Sequence, residues 1–155
     1  MNIYEILNKL NIQYEEIEHN PIYSVEDAIR EDVMSKIEGT GCKNLLLKDN
    51  NNYYLIILKY DKIIDLKELR AKLSSGRLSF ASEKELNDLL NLAPGSITPF
   101  GIINDLENKI VIAIDNELNN KKMLFHPNVN NKTISIKYDD LIKFIESQHH
   151  KLIIL

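Results

Sequence analysis

In GTGCKNLLLKD, residues 39–49, Gly39, Gly41, Cys42 and Lys43 stand directly before a run of leucines. Glycine permits backbone conformations closed to other residues and lets a ligand approach closely, while a lysine ammonium is a compact cation with three donors. Together they suit an anion or a carbonyl oxygen. A loop lysine ordinarily points at water; Lys43 is set apart by its place where a flexible loop turns into what reads as a buried strand. Cys42 beside that cation, with His126 as base, would make a thiolate nucleophile, but an isolated cysteine bordering an apolar strand is the pattern of a small core residue.

Other chemistry is poorly represented. The chain has no G-x-S-x-G elbow, no G-x-x-x-x-G-K phosphate loop, no G-x-G-x-x-G and no H-E-x-x-H. Its one cysteine and four histidines lack the spaced pairs of a zinc site, so neither a metal nor another cofactor is expected. His149 and His150, adjacent in the polar stretch SQHHK, read as solvated.

The elements that must position Lys43 follow from periodicity. Leu45–Leu47 and Tyr53–Leu58 flank the turn sequence KDNNN and are apolar at consecutive positions, which predicts a hairpin of two central strands covered on both faces. Helical spacing over Ile3–Leu10 precedes strand-like alternation over Ile12–Glu18. Ser24 with Asp27 predicts a capped helix from Val25 to about Asp32; Asp65 caps a helix through Leu73, and Ser82 with Glu85 forms a capping box for one through Leu90. A short strand is expected in SSGRLSF and further strands at Ile110–Ile114, KMLFHP and Ile134–Ile136, before a helix over Asp139–Ser147. NLAPGSITPFG carries too many breakers for a helix and reads as a shaped loop. Helices interleaved with these strands predict an α+β fold, one domain over residues 1–155, with a mixed, mostly antiparallel curved sheet flanked by helices.

At 155 residues, 44% hydrophobic and 27% charged, the composition is that of a globular domain. Apolar runs fall far short of the roughly 20 residues that span a bilayer, and the N-terminus lacks a secretory pattern, so a cytoplasmic protein without membrane association is expected. A net charge of −4 argues against coating nucleic acid through a broad basic face, yet leaves room for a local patch that grips one end of an RNA. Arg70, Lys72 and Arg77, around the glycine turn in RAKLSSGR, are the candidate phosphate contacts.

Four irregular segments, EHNPIYSVEDA, GTGCKNLLLKD, GRLSFASEKELNDLLNLAPGSITPFGIIND and FHPNVNNKTISI, in this order across nearly the whole chain, resemble the prolyl-tRNA editing family, also known as the YbaK or aminoacyl-tRNA-synthetase-associated domain. The resemblance is to its freestanding members and implies removal of alanine mischarged on tRNA for proline, with tRNA as partner and prolyl-tRNA synthetase as a possible second. The family's C-K-N lysine and asparagine fall on Lys43 and Asn44, the glycine and proline of its G-x-x-x-P loop on Gly95 and Pro99, and its histidine before proline on His126. The resemblance thus implies a catalytic set of Lys43, Asn44, Gly95 and His126, with His19, Thr98, Pro99 and Gly101 binding substrate. Several relatives carry a histidine where this chain has Gly41. An aminoacyl ester is already susceptible to hydrolysis, so placing water and stabilising the oxyanion suffices without a covalent intermediate. Lys43 is expected to face the Gly95–Pro99 bend and His126, and backbone N–H groups of residues 95–101 to meet the carbonyl oxygen. The alternatives are a deacylase of cysteinyl- or seryl-tRNA and a non-catalytic module of the same fold that binds an amino acid or a synthetase. A monomer is expected, with the tail KLIIL either closing over the domain's own core or packing against another chain.

Overall fold

A computed structural model describes all 155 residues. In chain order the elements are α1 (Ile3–Lys9), β1 (Glu15–Glu18), α2 (Val25–Arg30), α3 (Val33–Lys36), β2 (Thr40–Lys48), β3 (Tyr53–Lys59), α4 (Leu66–Leu73), β4 (Ser79–Phe80), α5 (Glu83–Leu90), β5 (Ile110–Ile114), β6 (Lys122–Phe125), β7 (Lys132–Lys137), α6 (Tyr138–Ser147) and β8 (Leu152–Ile154). Short 3-10 turns cover Pro99–Asn104 and Asn116–Leu118. No helix is long and apolar enough to cross a membrane.

The strands form one mixed sheet in the order β1-β7-β6-β2-β3-β5-β8, with β4 added to β2. Pairs β1–β7, β6–β7, β2–β3 and β2–β4 are antiparallel; β2–β6, β3–β5 and β5–β8 are parallel. The central position of β2 and β3 follows from their double-sided apolarity, because alternate residues serve two cores. Leu46, Leu55 and Ile57 join α1, α5, α6 and Phe100 in the larger cluster. Leu47, Tyr54, Ile56 and Leu58 pack with Leu69 and Leu73 of α4 on the opposite face.

Local signals place the helices. Ser82 Oγ accepts from Glu85 N, and the Glu85 carboxylate accepts from Ser82 N, fixing the start of α5. Asp65 accepts from the first turn of α4 and Ser24 from Asp27 N of α2. The sequence patterns run past the ordered ends at two places: α2 stops at Arg30 and only Glu15–Glu18 of the Ile12–Glu18 stretch is strand, since Ile12 belongs to the core under α1. Helix α3 was not anticipated; at four residues it carries too little periodicity to register.

The C-terminal tail closes on its own chain, where Leu152–Ile154 adds parallel to Ile112–Ile114. This corrects the solvated reading of His150. Its side chain is only 1% exposed, with Nδ1 donating to the Ile110 carbonyl at 2.8 Å and lying 3.8 Å from Asp105 Oδ2. The turn that aligns β8 with β5 carries the imidazole inside, which a polar sequence context does not reveal. His149, at φ +63°, makes that turn.

The sheet is interrupted at one place. On one edge of β2, β6 pairs only with Thr40 and Gly41, and β4 joins the strand only at Leu47 and Lys48. Between them, from Cys42 to Leu46, that edge has no strand neighbour, and a cleft opens there.

Candidate active site

The cleft has a volume of about 200 Å³. Its floor is Gly41–Asn44 of β2; Leu124, Phe125 and His126 form one wall, Gly95 and Ile97 another, and residues of α2 and α3, with Ile22 and Tyr60, close the rim. The predicted catalytic set, Lys43, Asn44, Gly95 and His126, therefore lines one space although it comes from three distant parts of the chain.

Gly95 is required by both conformation and space. At φ +80° it adopts a backbone that L side chains rarely take, and a Cβ there would lie 2.1 Å from the Tyr23 carbonyl oxygen. This close approach seats loop 92–98 against the segment leading into α2. Asn44 secures the same loop from the floor, its Nδ2 donating to the Ile97 carbonyl at 3.1 Å. Its Oδ1 is buried without a hydrogen-bond partner. The N–H groups of Gly95 and Ile97 also find no acceptor within the chain, whereas Ser96 N donates to Ala93 O and Gly101 N to Thr98 O. An unpaired buried polar group such as Asn44 Oδ1 is uncommon and calls for a ligand or water; Gly95 is exposed and Ile97 half-buried, so their N–H groups are open to solvent or a ligand.

Lys43 lines the cleft, but its ammonium donates to the Lys62 carbonyl rather than facing the Gly95–Pro99 bend. The turn carrying that carbonyl is held in place by an ion pair of Lys62 with Asp115. The hydrogen bond that Lys62 donates to Asp115 raises the Lys62 pKa; burial is the largest single influence on Asp115 and works to raise its pKa, but the contacts with Lys62 and the Glu117 N–H together outweigh it and the net shift is downward. Asp115 thus holds Lys62, and Lys62 holds the lysine of the site.

His126 donates from Nδ1 to the Lys132 carbonyl at 3.0 Å, which leaves Nε2 of the neutral ring as an acceptor. Burial lowers its pKa, and neighbouring His19 adds to the effect, so the ring is neutral at pH 7. His19 stands behind it with ring centroids 6.1 Å apart. Both His19 nitrogens are engaged, Nδ1 with the Asn20 carbonyl at 2.7 Å and Nε2 with Thr133 Oγ1 at 2.8 Å. His19 buttresses the wall through Thr133, which itself lines the cleft. Burial pushes the Cys42 thiol up to about 12, and its Sγ points to the Thr40 carbonyl at 3.5 Å, so the thiolate needed by a nucleophile is not populated at neutral pH.

Several expected contacts lie elsewhere. Thr98, Pro99 and Gly101 are buried behind the loop and do not line the cleft. Thr98 Oγ1 caps the 3-10 turn, Pro99 begins it, and a Cβ on Gly101 would come within 2.7 Å of Leu92. Their motif is legible because it shapes the loop that presents Gly95. Arg70, Lys72 and Arg77 are displaced further. The turn holding Arg77 leads to β4 and meets β2 at Lys48, about 17 Å along the strand from Lys43 at roughly 3.4 Å per residue. Lys72 is paired with Glu68 at 3.1 Å. Met34 and Tyr60 were not anticipated as lining residues: both approach Gly41, within 3.3 Å of where its Cβ would stand, a contact made across the fold with no trace in local sequence.

Residues 19–144 match the family described as the aminoacyl-tRNA editing domain. The chain belongs to this family. It is 36% identical over 148 residues to the prolyl-tRNA editing protein ProX of Acetoanaerobium sticklandii, covering 91% of this chain and 87% of that one. It is 32% identical over 155 residues to prolyl-tRNA synthetase associated domain-containing protein 1 of Danio rerio, covering 97% and 83%. A crystal structure provisionally assigned as a trans-editing enzyme for prolyl-tRNA synthetase superposes with a TM-score of 0.72 over 97% of this chain and 91% of that one; at 14% identity it supports the fold. The aminoacyl-tRNA editing fold thus places its cleft in the gap of the sheet.

Proposed function

We propose that the protein is a trans-editing deacylase that hydrolyses the ester of alanyl-tRNA for proline, acting in the cytoplasm on the product of prolyl-tRNA synthetase. One observation carries this reading: Lys43, Asn44, Gly95 and His126 converge on a single small cleft in an editing-family chain.

The reaction uses water as nucleophile. Its oxygen attacks the ester carbonyl carbon, the bond from that carbon to the ribose oxygen breaks, and the ribose oxygen leaves with a proton. Two acceptors without partners, His126 Nε2 and Asn44 Oδ1, suit the attacking water and the α-ammonium of the amino acid. The N–H groups of Gly95 and Ile97, which find no acceptor within the chain, suit the developing oxyanion as preorganised donors. Lys43, its ammonium held at the Lys62 carbonyl in the lining of the cleft, supplies positive charge to the bound substrate. With Cys42 held as a thiol, no acyl-enzyme is invoked.

On this reading selection is by size, with the apolar residues Ile22, Val25, Ala28 and Met34 that line the cleft set against a side chain larger than alanine. Such a sieve spares the correctly charged product. The test is a deacylation panel of tRNA charged with alanine, proline, cysteine or serine. Fastest loss of alanine with intact prolyl-tRNA supports the proposal. Faster loss of cysteine or serine reassigns the side chain, and an intact panel at high enzyme concentration leaves a non-catalytic module.

A further inference from the structure

A second depression adjoins the cleft, an open groove of about 660 Å³ whose lining includes Lys121, Lys122 and Lys137 together with Glu38 and Asp139. We infer that this groove, through Lys121 and Lys137, binds the phosphodiester backbone of the RNA whose charged end enters the cleft. The inference rests on the editing reading above for the identity of that RNA.

The first ground is an arrangement that the folded chain alone does not favour. Lys122 of β6 lies directly opposite Lys137 of β7, and like charges facing each other across antiparallel strands are destabilising. Lys121 adds a third cation. Lys121 and Lys137 are exposed, and neither has a carboxylate within ion-pair distance. An anion between them would turn repulsion into attraction.

Two of the acidic neighbours are taken up by Lys122. Glu38 and Glu15 both lie near Lys122, at 3.6 and 3.9 Å, and leave the other two lysines unpaired. Asp139 stands in the first turn of α6, where the helix N-terminus stabilises its negative charge.

Position is the second ground. Thr40 lines the groove and its chain neighbour Gly41 lines the cleft; on β6, Lys122 and Leu124 divide in the same way, about 7 Å apart at roughly 3.3 Å per strand residue. Lys121 is close enough for its charge to act on Cys42. A strand whose terminal ribose ester occupies the cleft therefore meets these ammonium groups within its first nucleotides. Arg70 and Arg77 lack this proximity.

The test measures binding of uncharged tRNA for proline as a function of salt, for the parent, a Lys121→Gln/Lys137→Gln double variant and an Arg70→Gln/Arg77→Gln double variant. We expect the lysine variant to bind about tenfold more weakly at low salt, with the slope of log K against log salt reduced by about 1.4 to 1.8, since each of the two phosphate contacts contributes roughly 0.7 to 0.9. The arginine variant should match the parent. The lysine variant should melt no lower than the parent, because a repulsive pair has been relieved. Unchanged affinity and slope in the lysine variant, loss confined to the arginine variant, or no binding by the parent would overturn the inference. Lysine-dependent binding by a parent that deacylates nothing would uphold the groove and defeat only the deacylase reading.

Discussion

Lys43 and His126 both line the cleft, one a cation and the other a neutral ring at pH 7, and under the proposed function each makes a distinct prediction. Lys43→Ala removes the cation and should lower the deacylation rate by about 100-fold or more, the scale of losing one stabiliser of the transition state, with the circular dichroism spectrum unchanged. Cys42→Ala should retain activity within a few-fold, because burial already keeps the thiol protonated. For His126 the sign of the pH effect follows from its depressed pKa. The unfolded chain binds the proton more readily, so the stability associated with the neutral ring is complete above about 6.5 and is lost as pH falls through the lower folded value. Chemical denaturation between pH 7 and 5 should show that loss in the parent and a smaller one in His126→Asn. Gly95→Ala should destabilise by about 2 kcal/mol or more through backbone strain and the clash with the Tyr23 carbonyl. At this scale the sequence motifs are legible for Lys43, Asn44, Gly95 and His126, because irregular segments leave a fixed spacing. The engagement of Lys43 by the Lys62 carbonyl leaves no such trace, since a backbone acceptor carries no residue identity.

Element α5 shows how capping chemistry turns into architecture. Glu85 closes the capping box with Ser82, accepts from Lys48 of β2 at 2.7 Å and also receives the Tyr53 hydroxyl, so one carboxylate staples the helix to the central hairpin. These contacts, Lys48 foremost, then Tyr53 and the Ser82 backbone, lower its pKa to about 2. Its contribution is therefore present above about 4.5 and lost as pH falls toward 2. Ser82→Ala should cost about 1 kcal/mol, as for other N-caps, measured by urea unfolding. The helices begun by Ser24, Asp65 and Ser82 are legible because a cap and an apolar period are both local. The β8 strand is not, because KLIIL fits an edge strand and an interface equally well until β5 offers Ile112–Ile114 as its partner. His150 is misread for the same reason: a tertiary contact overrides a polar neighbourhood.

For the whole molecule, the sheet's interrupted edge unites fold and function. Strand β2 joins both halves of the sheet, and where one edge lacks a neighbour, Cys42, Lys43 and Asn44 become part of the floor of the cleft. The α+β class and the central hairpin are readable from double-sided apolarity, but the gap depends on where β6 leaves and β4 arrives, which pairing decides and periodicity does not. The basic groups follow the same division. Sequence proximity gathers Arg70, Lys72 and Arg77, whereas strand register gathers Lys121, Lys122 and Lys137 beside the cleft. The most direct measurement is the release of alanine from alanyl-tRNA for proline by the parent protein and by Lys43→Ala, assayed side by side with prolyl-tRNA. The account predicts rapid alanine release by the parent, at least 100-fold slower release by the variant, and intact prolyl-tRNA in both. Equal release of alanine by the two proteins would contradict it.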